Sequence, residues 1–181
     1  MKLLENTKKI LTKIQKDLGI KNFFATPMID KVIVAVGIWS LATRKWIKDF
    51  SEIENNLRKI TWQKPYMILS KRSISNFKLR DWMPSMLKVT LRWQKAYDFL
   101  SKVAKIVLPR VRDFEWLLIK SFDKEWGYSF WLKSYDIFPE LMPDDVNIEV
   151  WLQILITTTV KNKEHNKKLL EWLWFIFQEK K

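Results

Sequence analysis

Between residues 71 and 80 the chain sets Lys71, Arg72, Lys78 and Arg80 among Ser73, Ile74, Ser75, Asn76 and Phe77. Cations at this density bind phosphate, and short hydroxyl and amide side chains reach ribose hydroxyls, which is the chemistry of an RNA contact. A solvated hairpin tip is the plainer reading of the same residues. A second set follows in Leu87-Lys88-Val89-Thr90-Leu91-Arg92. On a strand, successive side chains point to opposite sides, so Leu87, Val89 and Leu91 would face a core while Lys88, Thr90 and Arg92 face out. Hydroxyl and cations then align as a phosphate-binding surface requires.

Enzymatic chemistry finds no such support. His165 is the single histidine, it lies in the lysine-rich KNKEHNKKLL, and the chain has no cysteine. One His with scattered carboxylates offers no metal-ligand spacing, and Asp144-Asp145 after Pro143 reads as a turn or helix start, so no metal and no cofactor is expected. With Gly in place of Trp39, the run Gly37-Ile38-Trp39-Ser40-Leu41-Ala42 would mimic a dinucleotide-binding turn. That mechanism also needs an acid at the end of the next strand, where this chain has Ser70-Lys71-Arg72. The dinucleotide reading is set aside.

The elements that must position the cationic groups follow from periodicity. Helical spacing of Leu3, Leu4, Ile10, Leu11, Ile14 and Leu18 predicts a helix over 2–18, stopped by Gly19. After Pro27, the β-branched run 31–37 reads as a buried strand. Ile47, Phe50, Ile53, Leu57 and Ile60 form the stripe of a helix over about 43–60. Strands over 65–72 and 86–93 enclose the polar excursion. A helix over 94–108 would be stopped by Pro109, and 110–126 is irregular. Strands near 127–133 and 135–138, a long strand over 148–158 and a helix over about 162–173 complete an α+β fold. It is a largely antiparallel sheet packed against helices, expected as one domain spanning 1–181.

Thirty-three Lys and Arg against twenty Asp and Glu leave a net charge of +13, a potential that attracts polyanions. Nucleic acid leads as partner, with an anionic membrane surface as an alternative. The uncharged stretches 32–43 and 150–160 are well short of the roughly 20 residues that span a bilayer, and the N-terminus lacks the apolar core of a signal peptide. The absence of cysteine fits a reducing cytosol.

Glycine and tryptophan are both anomalous. At about 7% of residues, roughly 13 glycines are expected, yet only Gly19, Gly37 and Gly127 are present, against eleven tryptophans. Several tryptophans stand in turn-like settings such as Asp81-Trp82-Met83-Pro84 and Glu125-Trp126-Gly127, where a bulky residue is strained and exposes apolar area. The expectation is that UGA codons meaning glycine have been written as tryptophan. A surface of base-stacking indoles is the functional alternative.

The runs ITWQKP (60–65), KRSISNFKLRDWMP (71–84), LKVTLRW (87–93), LPRVRDFEW (108–116), KSFDKEWGYSFWL (120–132), IFPE (137–140) and ITTT (156–159), read with Gly for Trp, resemble the signature blocks of the bacterial large-subunit ribosomal protein five family. They keep that family's order and cover nearly the whole chain. The family has glycine at the positions matching Trp39, Trp62, Trp82, Trp93 or its neighbourhood, Trp116, Trp126, Trp131, Trp151 and Trp174, while Trp46 and Trp172 align with no glycine. The resemblance implies a non-enzymatic ribosomal component in the cytoplasm that binds 5S rRNA, touches 23S rRNA in the central protuberance and meets a small-subunit head protein. It maps rRNA binding onto Gly37, Gln63, Lys64, Thr90 and Arg92, beside the cationic Lys71, Arg72 and Lys88. The hairpin Ser73, Ile74, Ser75, Asn76, Phe77, Lys78 to Arg80 matches a loop approaching peptidyl-site tRNA. Ala35, where asparagine is usual, and Lys124, where glycine is usual, depart from the pattern.

Overall fold

The structure, a computed structural model, describes residues 2–44, 47, 49–112, 117–123, 127–142, 146–160 and 162–178. Lys124, Trp46, Trp116, Trp126 and the Asp144-Asp145 pair lie outside them.

Helix α1 (Lys2–Asp17) forms as its spacing predicts, burying Leu11 and Ile14, and the chain leaves it through Gly19 at φ 65°. β1 (Ile29–Gly37) follows Pro27. The helix expected over 43–60 is instead two: α2 (Trp39–Arg44) and α3 (Ser51–Thr61). The entry to α3 is a local turn in which Asp49 accepts the Ser51 amide and hydroxyl, an Asx arrangement that competes with helix. The two bonds from Ser51 hold the Asp49 carboxyl below its usual range. The apolar stripe survives the break, with Phe50, Ile53, Leu57 and Ile60 buried.

β2 (Tyr66–Leu69) pairs antiparallel with β3 (Pro84–Arg92), Tyr66 opposite Lys88. Pro109 does not end the following helix. α4 (Gln94–Lys102) widens into a π turn over Val103–Val107, in which the Leu108 amide reaches the Val103 carbonyl, and continues as α5 (Leu108–Arg110). Widening the turn moves the carbonyl ladder off the position that the proline ring would strike.

The rest comprises β4 (Leu117–Leu118), β5 (Tyr128–Leu132), β6 (Leu152–Thr158), α6 (Lys163–Trp172) and β7 (Phe177–Gln178). Residues 135–138 are a turn rather than the expected strand. The Phe138 amide bonds the Tyr135 carbonyl and the Leu141 amide bonds the Phe138 carbonyl, and both rings are buried. The apolar character that reads as strand is that of two anchors at a corner just before Pro139. β6 begins at Leu152, four residues later than expected, and Asn162 caps α6 by accepting the Glu164 amide.

The main sheet has the order β2-β3-β1-β6-β5, and β4 pairs parallel with β7. The class is α+β with a mostly antiparallel sheet, as expected. By contacts the chain forms two compact units, one of Met1–Val32, Leu91–Phe130 and Leu155–Lys181, the other of Ile33–Thr90 and Trp131–Ile154. β1, β3, β5 and β6 run from one into the other. In the first unit α1 packs on α4 and α6. An aromatic cluster there joins Phe122, Tyr128 and Phe177, with Tyr128 edge-on to Phe177 at 5.3 Å. In the second, Val34, Val36, Ile53, Leu57, Leu87 and Val89 are fully or nearly fully buried, each such side chain contributing about 1.5–3 kcal/mol.

Candidate RNA interface

The outward row of β3 is the clearest surface in the second unit. Leu87 and Val89 are buried while Lys88 and Thr90 are half-exposed between them, as alternation requires. Lys88 stands across from Tyr66, whose ring is 73% exposed. The turn after α3 is tied to the same strand, since Gln63 Nε2 donates to the Thr90 carbonyl at 3.2 Å and Thr61 Oγ1 to the Gln63 carbonyl at 3.1 Å. Lys64 is exposed and lies 3.9 Å from Glu54. Gly37 ends β1 in the open, and the next amide, Ile38, bonds the Ser85 carbonyl at 3.0 Å.

The hairpin 70–83 is ordered by its backbone rather than by a core. Ser70 and Met83, then Ile74 and Leu79, close it at two levels, and the tip is a 3-10 turn over Ser75–Phe77. Ser73 Oγ bonds the Leu79 carbonyl at 3.0 Å, and Phe77 sets its edge against Trp39, with ring centroids 5.7 Å apart. Lys71, Arg72, Ser73, Ile74, Ser75, Asn76, Phe77, Lys78 and Arg80 are all exposed. Among the described residues no acid pairs with Lys71, Arg72, Lys78, Arg80 or Lys88.

Arg92 falls in the first unit. It is exposed, and its Nη1 lies 3.5 Å from Asp30 Oδ1, while Lys31 is 3.8 Å from the other oxygen of that carboxylate. An exposed pair of this kind contributes about 0–1 kcal/mol, so Arg92 is held loosely. Sequence reasoning missed Asp30 as its partner, and missed Tyr66 as an exposed ring beside Lys88. The register that pairs Tyr66 with Lys88 is a long-range fact no local pattern announces.

The groups with raised pKa lie elsewhere. Burial pushes up the phenols of Tyr97, Tyr135 and, to about 12, Tyr128. Tyr97 accepts the Ile29 amide, Tyr135 donates to the Ile148 carbonyl and Tyr128 to the Leu118 carbonyl. These are hydrogen-bonded core anchors. Among the described residues no cluster of His, Asp or Glu could hold a metal ion, and no helix is long and apolar enough to cross a membrane.

Comparison with known proteins accounts for this surface. Residues 84–177 match the model of the C-terminus of the ribosomal uL5 family. The large ribosomal subunit protein uL5 of Natranaerobius thermophilus is 41% identical over 177 residues, 97% of this chain and 98% of that protein. The uL5 of Thermosipho melanesiensis is 41% identical over 94% of this chain and 93% of its own. That of Francisella tularensis subsp. mediasiatica is 39% identical over 94% of each. The chain therefore belongs to the ribosomal uL5 family and is a structural, non-enzymatic ribosomal protein of the large subunit.

Proposed function

We propose that the chain binds 5S rRNA through the outward row of β3, Lys88, Thr90 and Arg92, together with the turn Gln63–Lys64, Gly37 and the flanking Lys71 and Arg72. In this reading it also touches 23S rRNA in the central protuberance and a small-subunit head protein, in the cytoplasm, while the hairpin from Ser73 to Arg80 approaches peptidyl-site tRNA. The observation that carries the reading is the set of exposed or half-exposed cations with no acidic partner among the described residues. Charges left open in this way are free to replace counterions on a phosphate backbone. The hydroxyl of Thr90 and the ring of Tyr66 add contacts suited to ribose and base. Such a surface recognises the shape of folded RNA rather than its sequence.

The test is a titration of 5S rRNA against the chain at several salt concentrations. Arg92→Ala is expected to weaken binding by about 1.5 kcal/mol, roughly tenfold, and to lower the salt slope by about one. Thr90→Ala should weaken binding with little change of slope. Unchanged affinity in both, with the fold intact, would refute the mapping. Shortening the hairpin within 75–80 should spare 5S binding and disturb tRNA handling; loss of both would redraw the boundary between the two surfaces.

A further inference from the structure

Among the described residues five that are not glycine have positive φ, and four of the five are tryptophan: Trp62 at 55°, Trp82 at 62°, Trp93 at 56° and Trp174 at 70°. Positive φ is uncommon outside glycine and a genuine outlier for a bulky side chain. Each of the four also sits in a named backbone device that calls for glycine.

Trp62 follows α3, and its amide bonds the Arg58 carbonyl at 2.8 Å, the single bond of a left-handed C-terminal cap. Trp174 follows α6 in the two-bond form of that cap. Trp82 is the first of two residues opposing Ser70: its amide bonds the Ser70 carbonyl while the Ser70 amide bonds the Met83 carbonyl. That is a β-bulge whose first residue is left-handed and normally glycine. Trp93 combines its positive φ with ψ −130° at the start of α4, a pairing open to glycine and strained for other residues. The indoles gain no burial in return, being 77, 79, 81 and 66% exposed at 62, 82, 93 and 174.

We propose that positions 62, 82, 93 and 174 are glycine in the protein the cell makes, the codon UGA being read there as glycine, and that this clears the approach of RNA to the candidate interface. The second clause rests on the proposed RNA-binding function. Trp62 adjoins Gln63 and Lys64, Trp82 bonds the residue before Lys71, and Trp93 follows Arg92. With glycine, backbone amides and the neighbouring cations at these points lie open to phosphate; with tryptophan, an exposed indole stands beside each. Trp39, Trp131, Trp151 and Trp172 have no positive φ, so the backbone makes no demand there.

Two measurements decide the matter. The first reads the codons at these positions and the masses of the corresponding peptides from protein isolated from its own cells. UGA codons with glycine-bearing peptides are expected; UGG codons, or peptides that carry tryptophan, would overturn the proposal. The second compares 5S rRNA binding of the chain as written with that of Trp62→Gly, Trp82→Gly and Trp93→Gly combined, and with Trp174→Gly alone, each checked for folding by circular dichroism. The triple variant should bind about tenfold more tightly, and Trp174→Gly, apart from the mapped residues, should bind as the parent does while melting at a higher temperature. Equal or weaker binding by the folded triple variant would overturn the clearance of the interface and leave the residue identities to the peptides. Failure of every form to bind would overturn the RNA-binding reading itself.

Discussion

Helices α1 and α6 end in the same way on different residues. After α1 the Gly19 amide bonds the Lys16 carbonyl and the Ile20 amide bonds the Gln15 carbonyl, both at 3.1 Å, with Gly19 at φ 65°. After α6 the Trp174 amide bonds the Glu171 carbonyl at 2.9 Å and the Phe175 amide bonds the Leu170 carbonyl at 3.1 Å, with Trp174 at φ 70°. Both are Schellman caps, which satisfy carbonyls the helix leaves over and place the next residue against the helix. At α6 that residue is the buried Phe175, whose ring lies 6.2 Å from Phe130. The cap is needed to turn Phe175 inward, and the left-handed residue follows from the cap. Glycine meets the demand without strain. An L side chain there costs about 1–2 kcal/mol.

The largest expected effect comes from relieving all four left-handed sites. Trp62→Gly, Trp82→Gly, Trp93→Gly and Trp174→Gly combined should raise stability by about 4–8 kcal/mol, for sites that share no hydrogen bond. That is comparable with the roughly 5–15 kcal/mol of a whole domain. Urea unfolding would show it as a higher midpoint at nearly constant slope. A contrasting substitution sharpens the comparison. Trp131→Gly lies on β5 with no positive φ, and there the same change should lower stability by about 0.5–1 kcal/mol, because glycine weakens a strand interior. A gain at position 131 equal to that at 174 would mean that removing an exposed indole, not relieving the backbone, is responsible. The smallest effect belongs to the exposed pair at Arg92. Asp30→Asn should change stability by no more than about 1 kcal/mol, and slightly strengthen 5S rRNA binding by freeing the guanidinium.

The parts of the fold that could be read directly were those set by local pattern. α1, α6 and the in-out alternation of β3 appear where their spacing places them, because one apolar face must be buried whatever the rest of the chain does. The misjudged parts are those where a local bond or a distant partner outweighs the pattern. The stripe from Ile47 to Ile60 hides the Asp49–Ser51 turn, and the π turn over Val103–Val107 absorbs Pro109. Tyr135 and Phe138 are buried on a corner. β7 is two residues long and exists through its pairing with β4. In the candidate interface the cations could be named from sequence, whereas the Gln63 bond to the Thr90 carbonyl, the Tyr66–Lys88 register and the Asp30–Arg92 pair depend on tertiary arrangement. The division into two units could not be anticipated either, because four strands continue from one into the other.

The most direct test of the central claim, that the backbone at these tryptophans is a glycine backbone, is equilibrium unfolding of Trp174→Gly beside Gly19→Trp. Because the two caps share one geometry, the first substitution should raise stability by about 1–2 kcal/mol and the second lower it by a similar amount, each moving the melting temperature by roughly 2–8 °C at about 2–4 °C per kcal/mol. A Trp174→Gly protein no more stable than its parent, or a Gly19→Trp protein no less stable, would contradict the account.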